Sequence, residues 1–167
     1  EQGTLGLNDS ACDPLPHKPH LAKGDKADPR LGQVTIAHLL RHQGGWDRKE
    51  TIDPLFHAIE IATVLGKPPP ARQDDVIRFM MGWPLDFDPG ERYVYSNLGY
   101  CLLGRVIEQV TGRRYGDYMV NDFLKPLGII HCKIKDAFAI TLAALLILID
   151  ILAGTASKEA VEYCFWV

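Results

Sequence analysis

The triplet Tyr95-Ser96-Asn97 stands where a turn-rich stretch meets the most regular apolar pattern in the chain. A helix that starts there exposes its first N–H groups, which gives that end a positive potential. Tyr95 and Asn97 can then project into one cleft. A phenol in such a field is a candidate proton acceptor, and an amide both donates and accepts. The plainer alternative has Ser96 or Asn97 capping the helix and Tyr95 packing against it. On three residues alone the plainer reading carries more weight.

Other reactive groups are weaker as sites. His38 and His42 are four apart, a spacing that can hold zinc on a helix, but Leu39-Leu40-Arg41 between them supplies no glutamate for a metalloprotease base, so core or capping roles are assigned. His17 and His20 flank Lys18-Pro19 without a third ligand. No metal ligand set and no cofactor is therefore named. Cys12, Cys101, Cys132 and Cys164 form no C-x-x-C pair, and Cys101 reads as a small buried hydrophobe. Asp74-Asp75 open a helix and Arg113-Arg114 follow one, where the helix dipole already explains both pairs.

The elements that must position the triplet are mostly helices. Residues 1–33 read as loop, broken by Pro14, Pro16, Pro19 and Pro29. Thr35 caps a helix carrying Ile36, Leu39 and Leu40, with Gly44-Gly45 as its stop. Thr51 or Asp53, followed by Pro54, starts a second, with Leu55, Phe56, Ile59, Ala62 and Val64 or Leu65 as its apolar side; Gly66 and Pro68-Pro69-Pro70 end it. A third runs from Asp74 to Gly82. Asp88-Pro89-Gly90 is a turn, and a short strand is expected near Arg92–Tyr95. Leu98, Leu102, Val106 and Val110 then recur every four residues until Gly112, and a shorter helix covers about Tyr115 to Phe123. Ala137 to Ile149 carries no charge, but this run falls short of the roughly 18 residues that a membrane span asks for. It reads as a buried or partner-facing helix, with self-association as its expected use.

Longer blocks add a family resemblance. VTIAHLLRHQGGWD (34–47), PLDFDPGERYVYSNLGYCLLGRVIEQVTGRRYGDYM (84–119) and LKPLGI (124–129) resemble, in order and spacing, the serine β-lactamase-related family of class C β-lactamases, D-alanyl-D-alanine carboxypeptidases and related esterases. The resemblance spans about residues 31–130. It implies that Tyr95 is the catalytic tyrosine, that Asn97 is a catalytic partner that contacts substrate, and that Ser96 is not a nucleophile. The family nucleophile lies in S-x-x-K, where the lysine helps deprotonate the serine. None of the three serines, Ser10, Ser96 and Ser157, has a lysine three residues on. No K-T-G occurs, and His42-Gln43-Gly44 matches the H-x-G variant but precedes Tyr95. A nucleophile motif upstream of Glu1 is the expectation that follows from the family order.

Composition agrees with an ordinary globular chain: 167 residues, 47% hydrophobic and 23% charged. The net charge of −3 offers no basic face for nucleic acid. The expected organisation is a loop-rich segment 1–33, a β-lactamase-related helical region 34–130 with the tyrosine motif, and a divergent apolar helical tail 131–167. The expected fold is mainly α, the helical portion of a β-lactamase/transpeptidase-like α+β fold with its sheet largely missing. The expected function is that of a serine hydrolase fragment that transfers acyl groups from a small-molecule lactam, peptide or ester, inactive alone for want of the nucleophile. The resemblance places the parent in a periplasmic or secreted setting. A non-catalytic protein that uses the apolar tail for partner association is the alternative.

Overall fold

A computed structural model describes residues 5–128, so the tail assigned to 131–167 lies outside the described residues. The described residues fall into two units, divided between Val110 and Thr111. Among the described residues there are five α-helices and no strand, as the mainly α expectation requires.

The first unit is built on local caps. Helix α1, Ile36–Leu40, starts at Thr35, whose hydroxyl accepts the His38 N–H at 3.2 Å while His38 Nδ1 accepts the Thr35 N–H at 3.3 Å. His38 is therefore a capping residue. The helix does not stop at Gly44-Gly45 as expected. It stops two residues earlier, because His42 turns left-handed at φ 54°. The His42 N–H then returns to the Leu39 carbonyl (3.1 Å) and the Gln43 N–H to the His38 carbonyl (2.7 Å). This is a Schellman motif with histidine where glycine is usual.

Asp53 caps a 3-10 turn at Pro54–Phe56 through the Leu55 N–H (3.3 Å), and helix α2, Ala58–Val64, follows. Its buried residues are Ile61 and Ala62, whereas Phe56, Ile59 and Val64 are exposed. The apolar side read from the sequence is thus only partly covered. Helix α3, Gln73–Met80, buries Val76, Ile77, Phe79 and Met80. Asp75 accepts the Arg72 N–H (3.3 Å) and is paired with Lys67, which holds its carboxyl below the usual carboxylate range. Helix α4, Asn97–Thr111, buries Leu98, Leu102 and Val106. These side chains join Leu39, Trp46 and Ile77 in one apolar core, against which Cys101, Leu103 and Val110 pack half-buried.

The N-terminal loop is fastened to this core. Ala11 is fully buried, its N–H bonded to the Val34 carbonyl (2.8 Å), and Ser10 and Thr35 form a single antiparallel bridge. Arg92–Tyr95 forms no strand. Only isolated bonds reach it or its approach: Gly90 N–H to the Gln43 carbonyl (2.9 Å) and Val94 N–H to the His42 carbonyl (2.8 Å). The facing segment is curled by His42 and by Gly45 at φ 106°, so no ladder can run. Gly45 also needs its missing side chain, since a Cβ there would stand 2.9 Å from the Phe87 carbonyl oxygen.

In the second unit, helix α5, Tyr115–Tyr118, widens into a π-helical turn at Met119–Leu124 and closes with a 3-10 turn at Lys125–Leu127. Arg113 pairs with Asp122, and Lys125 Nζ donates to Asn121 Oδ1 at 2.7 Å.

Candidate active site

Tyr95, Ser96 and Asn97 converge with two residues from earlier in the chain. The Tyr95 hydroxyl donates to Asn97 Oδ1 at 2.9 Å. Asn97, itself buried, donates from Nδ2 to Asp53 Oδ2 at 2.8 Å. Ser96 accepts the Gly99 N–H on its hydroxyl (3.4 Å), so it caps α4, and its own N–H points at His42 Nδ1 (3.2 Å). Ser96 thus caps α4, while Tyr95 and Asn97 are tied together at the helix start.

His42 is the hub behind them. Its ring is buried and lies 4.7 Å from the Tyr95 ring, 5.0 Å from Tyr100 and 5.6 Å from Tyr93, centroid to centroid. Burial holds its imidazole below the ordinary histidine value. A ring nitrogen that accepts an amide N–H is the unprotonated one, so Nδ1 carries no hydrogen and the neutral ring keeps its proton on Nε2. Tyr100, pushed up to about 12 by burial, stays a neutral donor to the Leu40 carbonyl at 3.1 Å.

The loop 46–53 supplies the facing wall. Asp86 fixes it by accepting the Asp47 N–H (2.7 Å) and the Thr51 hydroxyl. A small pocket results, with Trp46, Arg48, Asp53, Met80, Tyr95 and Asn97 among its lining. The Arg48 guanidinium sits 5.8 Å from the centre of the Tyr95 ring, within cation–π range. Among the described residues no group of three metal-ligating side chains forms a site, and no helix is long and apolar enough to cross a membrane.

Sequence reading missed Asp53 and His42 as parts of this site. Asp53 was legible as a helix cap, but its bond to a residue 44 positions on leaves no local trace. His42 carried a signal, the His-x-x-Gly-Trp block, although nothing in that block names its partner as a backbone amide.

The same residues fall within a known family. The beta-lactamase profile matches residues 1–143. The chain belongs to the beta-lactamase family. The matched span takes in the N-terminal loop as well as the helical region. Protein flp of Staphylococcus aureus is 33% identical to this beta-lactamase-family chain over 135 residues, which is 81% of the chain and 24% of flp. Among solved structures, the octameric penicillin-binding protein homologue from Pyrococcus abyssi is 29% identical, with a TM-score of 0.53 over 77% of this chain and 27% of that one. A D-stereospecific amidohydrolase from Streptomyces sp. is 30% identical, with a TM-score of 0.53 over 76% of this chain and 36% of that one. The chain thus spans about a quarter of the length of the curated relatives it matches, and its helices are those of the β-lactamase and penicillin-binding protein fold.

Proposed function

We propose that this chain is the tyrosine-motif part of a serine hydrolase that transfers acyl groups from a lactam, peptide or ester to water. The observation that carries the proposal is the Tyr95–Asn97 hydrogen bond at the rim of a pocket, on the start of α4. In the reaction, a serine attacks the carbonyl, the leaving group departs with a proton, and water hydrolyses the acyl-enzyme. Tyr95 relays the proton: its oxygen takes the serine hydrogen while its own hydrogen, swung away from Asn97 Oδ1, passes to the leaving group, so the phenol is neutral before and after. Asn97 has two Nδ2 hydrogens and one is held by Asp53, so the second is available to a substrate carbonyl.

These 167 residues hold no S-x-x-K. The chain alone is therefore expected to show no turnover. Hydrolysis of nitrocefin or of p-nitrophenyl esters by the purified chain, abolished by Tyr95→Phe, would overturn that expectation. The family role is tested in a reading frame extended on both sides. If an in-frame S-x-x-K appears, Tyr95→Phe in that longer protein should lower kcat far more than it alters KM. An unchanged kcat would remove Tyr95 from the chemistry.

A further inference from the structure

We propose that Asp53 is a positioning residue that sets the direction of the Tyr95 hydroxyl proton. The catalytic meaning rests on the acyl-transfer reading above, while the hydrogen-bond polarity stands on geometry alone. An ionised carboxylate accepts and never donates. Asp53 Oδ2 lies 2.8 Å from the Asn97 amide, so the group facing it must be Nδ2. The other end of the amide, Oδ1, is then turned to Tyr95 at 2.9 Å. An amide oxygen only accepts, so the Tyr95 O–H must donate to it. With its hydrogen parked on Asn97, the phenolic oxygen offers its lone pairs to the rest of the pocket. A serine hydroxyl arriving there meets an acceptor rather than a competing donor.

Asp53 is well placed to enforce this. Its Oδ1 is bound by the Leu55 N–H (3.3 Å), and Pro54 fixes the backbone beyond it. The carboxylate plane is therefore held by the 3-10 turn, and only Oδ2 is left for Asn97. Without the charge, Asn97 could rotate its amide and present Nδ2 to Tyr95, and the phenol would become an acceptor from Asn97 instead.

The test reads polarity directly, on the 167-residue chain labelled with 13Cζ-tyrosine and 15N. The Tyr95 signal is assigned by its loss in Tyr95→Phe, and the Asn97 side-chain amide by its loss in Asn97→Asp. In the unaltered chain one Asn97 Nδ2 hydrogen should exchange with solvent more slowly than the other. Asp53→Asn should shift or split the Tyr95 13Cζ line. The exchanged pair Asp53→Asn with Asn97→Asp should return it, because residue 97 then accepts from both neighbours. A thermal melt of each variant reports folding. Equal exchange of the two Asn97 hydrogens overturns the proposal, as does an unmoved Tyr95 line in folded Asp53→Asn. So does a folded exchanged pair that fails to restore the line. The wild-type exchange measurement decides the matter even where variants do not fold. Dispensability of Tyr95 for acyl transfer would refute the functional reading and leave these signals unchanged.

Discussion

His42 offers the sharpest test of how the site is held. It carries three separable features: a left-handed backbone at φ 54°, an Nδ1 that accepts the Ser96 N–H at 3.2 Å, and a buried ring among three tyrosines. His42→Ala removes the acceptor and the ring but keeps a Cβ in the left-handed region. Leaving the Ser96 N–H without its partner costs about 1–3 kcal/mol, and losing the ring contacts adds about 1 kcal/mol. A total near 3 kcal/mol is expected for alanine. His42→Gly removes the same groups and also relieves the left-handed strain, worth roughly 1–2 kcal/mol. Glycine should therefore be the milder change, the reverse of the usual order within a helix. His42→Asn should be mildest of all. Its Oδ1 falls close to where Nδ1 was, and asparagine tolerates positive φ.

Urea unfolding followed by circular dichroism at pH 7.5 measures the three differences. Glycine no better than alanine would refute the backbone part of the reasoning. Asparagine no better than alanine would refute the acceptor part. Acid provides an independent check. Burial holds the folded imidazole below the ordinary value of 6.5, so the unfolded chain binds this proton first as pH falls. The stability that His42 contributes is thus complete above about pH 6.5 and declines below it, by at most ~1.4 kcal/mol per pH unit for one proton. The decline levels off once the folded ring also protonates. His42→Asn should flatten that part of the profile, since the other five histidines are common to both proteins.

Two further outcomes follow from other contacts. Asp28 accepts the Arg30 N–H (2.8 Å) and the Leu85 N–H (3.0 Å) and pairs with the Arg30 guanidinium, whose hydrogen bonding holds the carboxyl down at about 2 against an ordinary 3.8. Its contribution is present above about pH 4 and lost as pH falls toward 2, so Asp28→Asn should cost stability at pH 5 but little at pH 2, measured by urea unfolding at both. A Cβ on Gly82 would stand 1.9 Å from the His20 carbonyl oxygen, and His20 is itself bonded to the Arg78 carbonyl at 2.7 Å. Gly82→Ala should therefore detach the 17–22 segment from α3 at a cost of about 3 kcal/mol or more, read as a lower melting temperature and faster proteolysis there. Gly32→Ala, which meets nothing within 4 Å, serves as the neutral control.

What the sequence disclosed was local. Thr35 before Ile36 and the four-residue recurrence from Leu98 to Val106 report interactions within one turn or one helix face and appear where expected, whereas Asp53-Pro54 opens only a 3-10 turn and the second helix starts four residues later, at Ala58. The misses share a different cause. The Schellman ending at His42 replaces the stop expected at Gly44-Gly45 because the decisive bonds are backbone ones, indifferent to which residue turns left-handed. The segment Arg92–Tyr95 has strand-forming residues but no neighbour straight enough to pair with. Phe56, Ile59 and Val64 lie exposed because periodicity defines an apolar stripe without saying what covers it. The Asp53–Asn97 bond joins residues that only the packed fold brings together.

Capping does not use up the hydrogen-bonding groups of these residues. Asp53 caps its turn with one carboxylate oxygen and holds Asn97 with the other. Ser96 caps α4 with its hydroxyl and gives its N–H to His42. His42 ends α1 with its backbone and receives that N–H on its ring. Each residue has more than one hydrogen-bonding group, and local structure uses only part of them. The groups left over build the site, so the site inherits the rigidity of three helix ends without a separate scaffold. One consequence can be checked in any variant series. Substitutions at these positions should lower stability and disturb Tyr95 together, whereas Tyr95→Phe, which removes one hydroxyl and ends no helix, should separate the two effects.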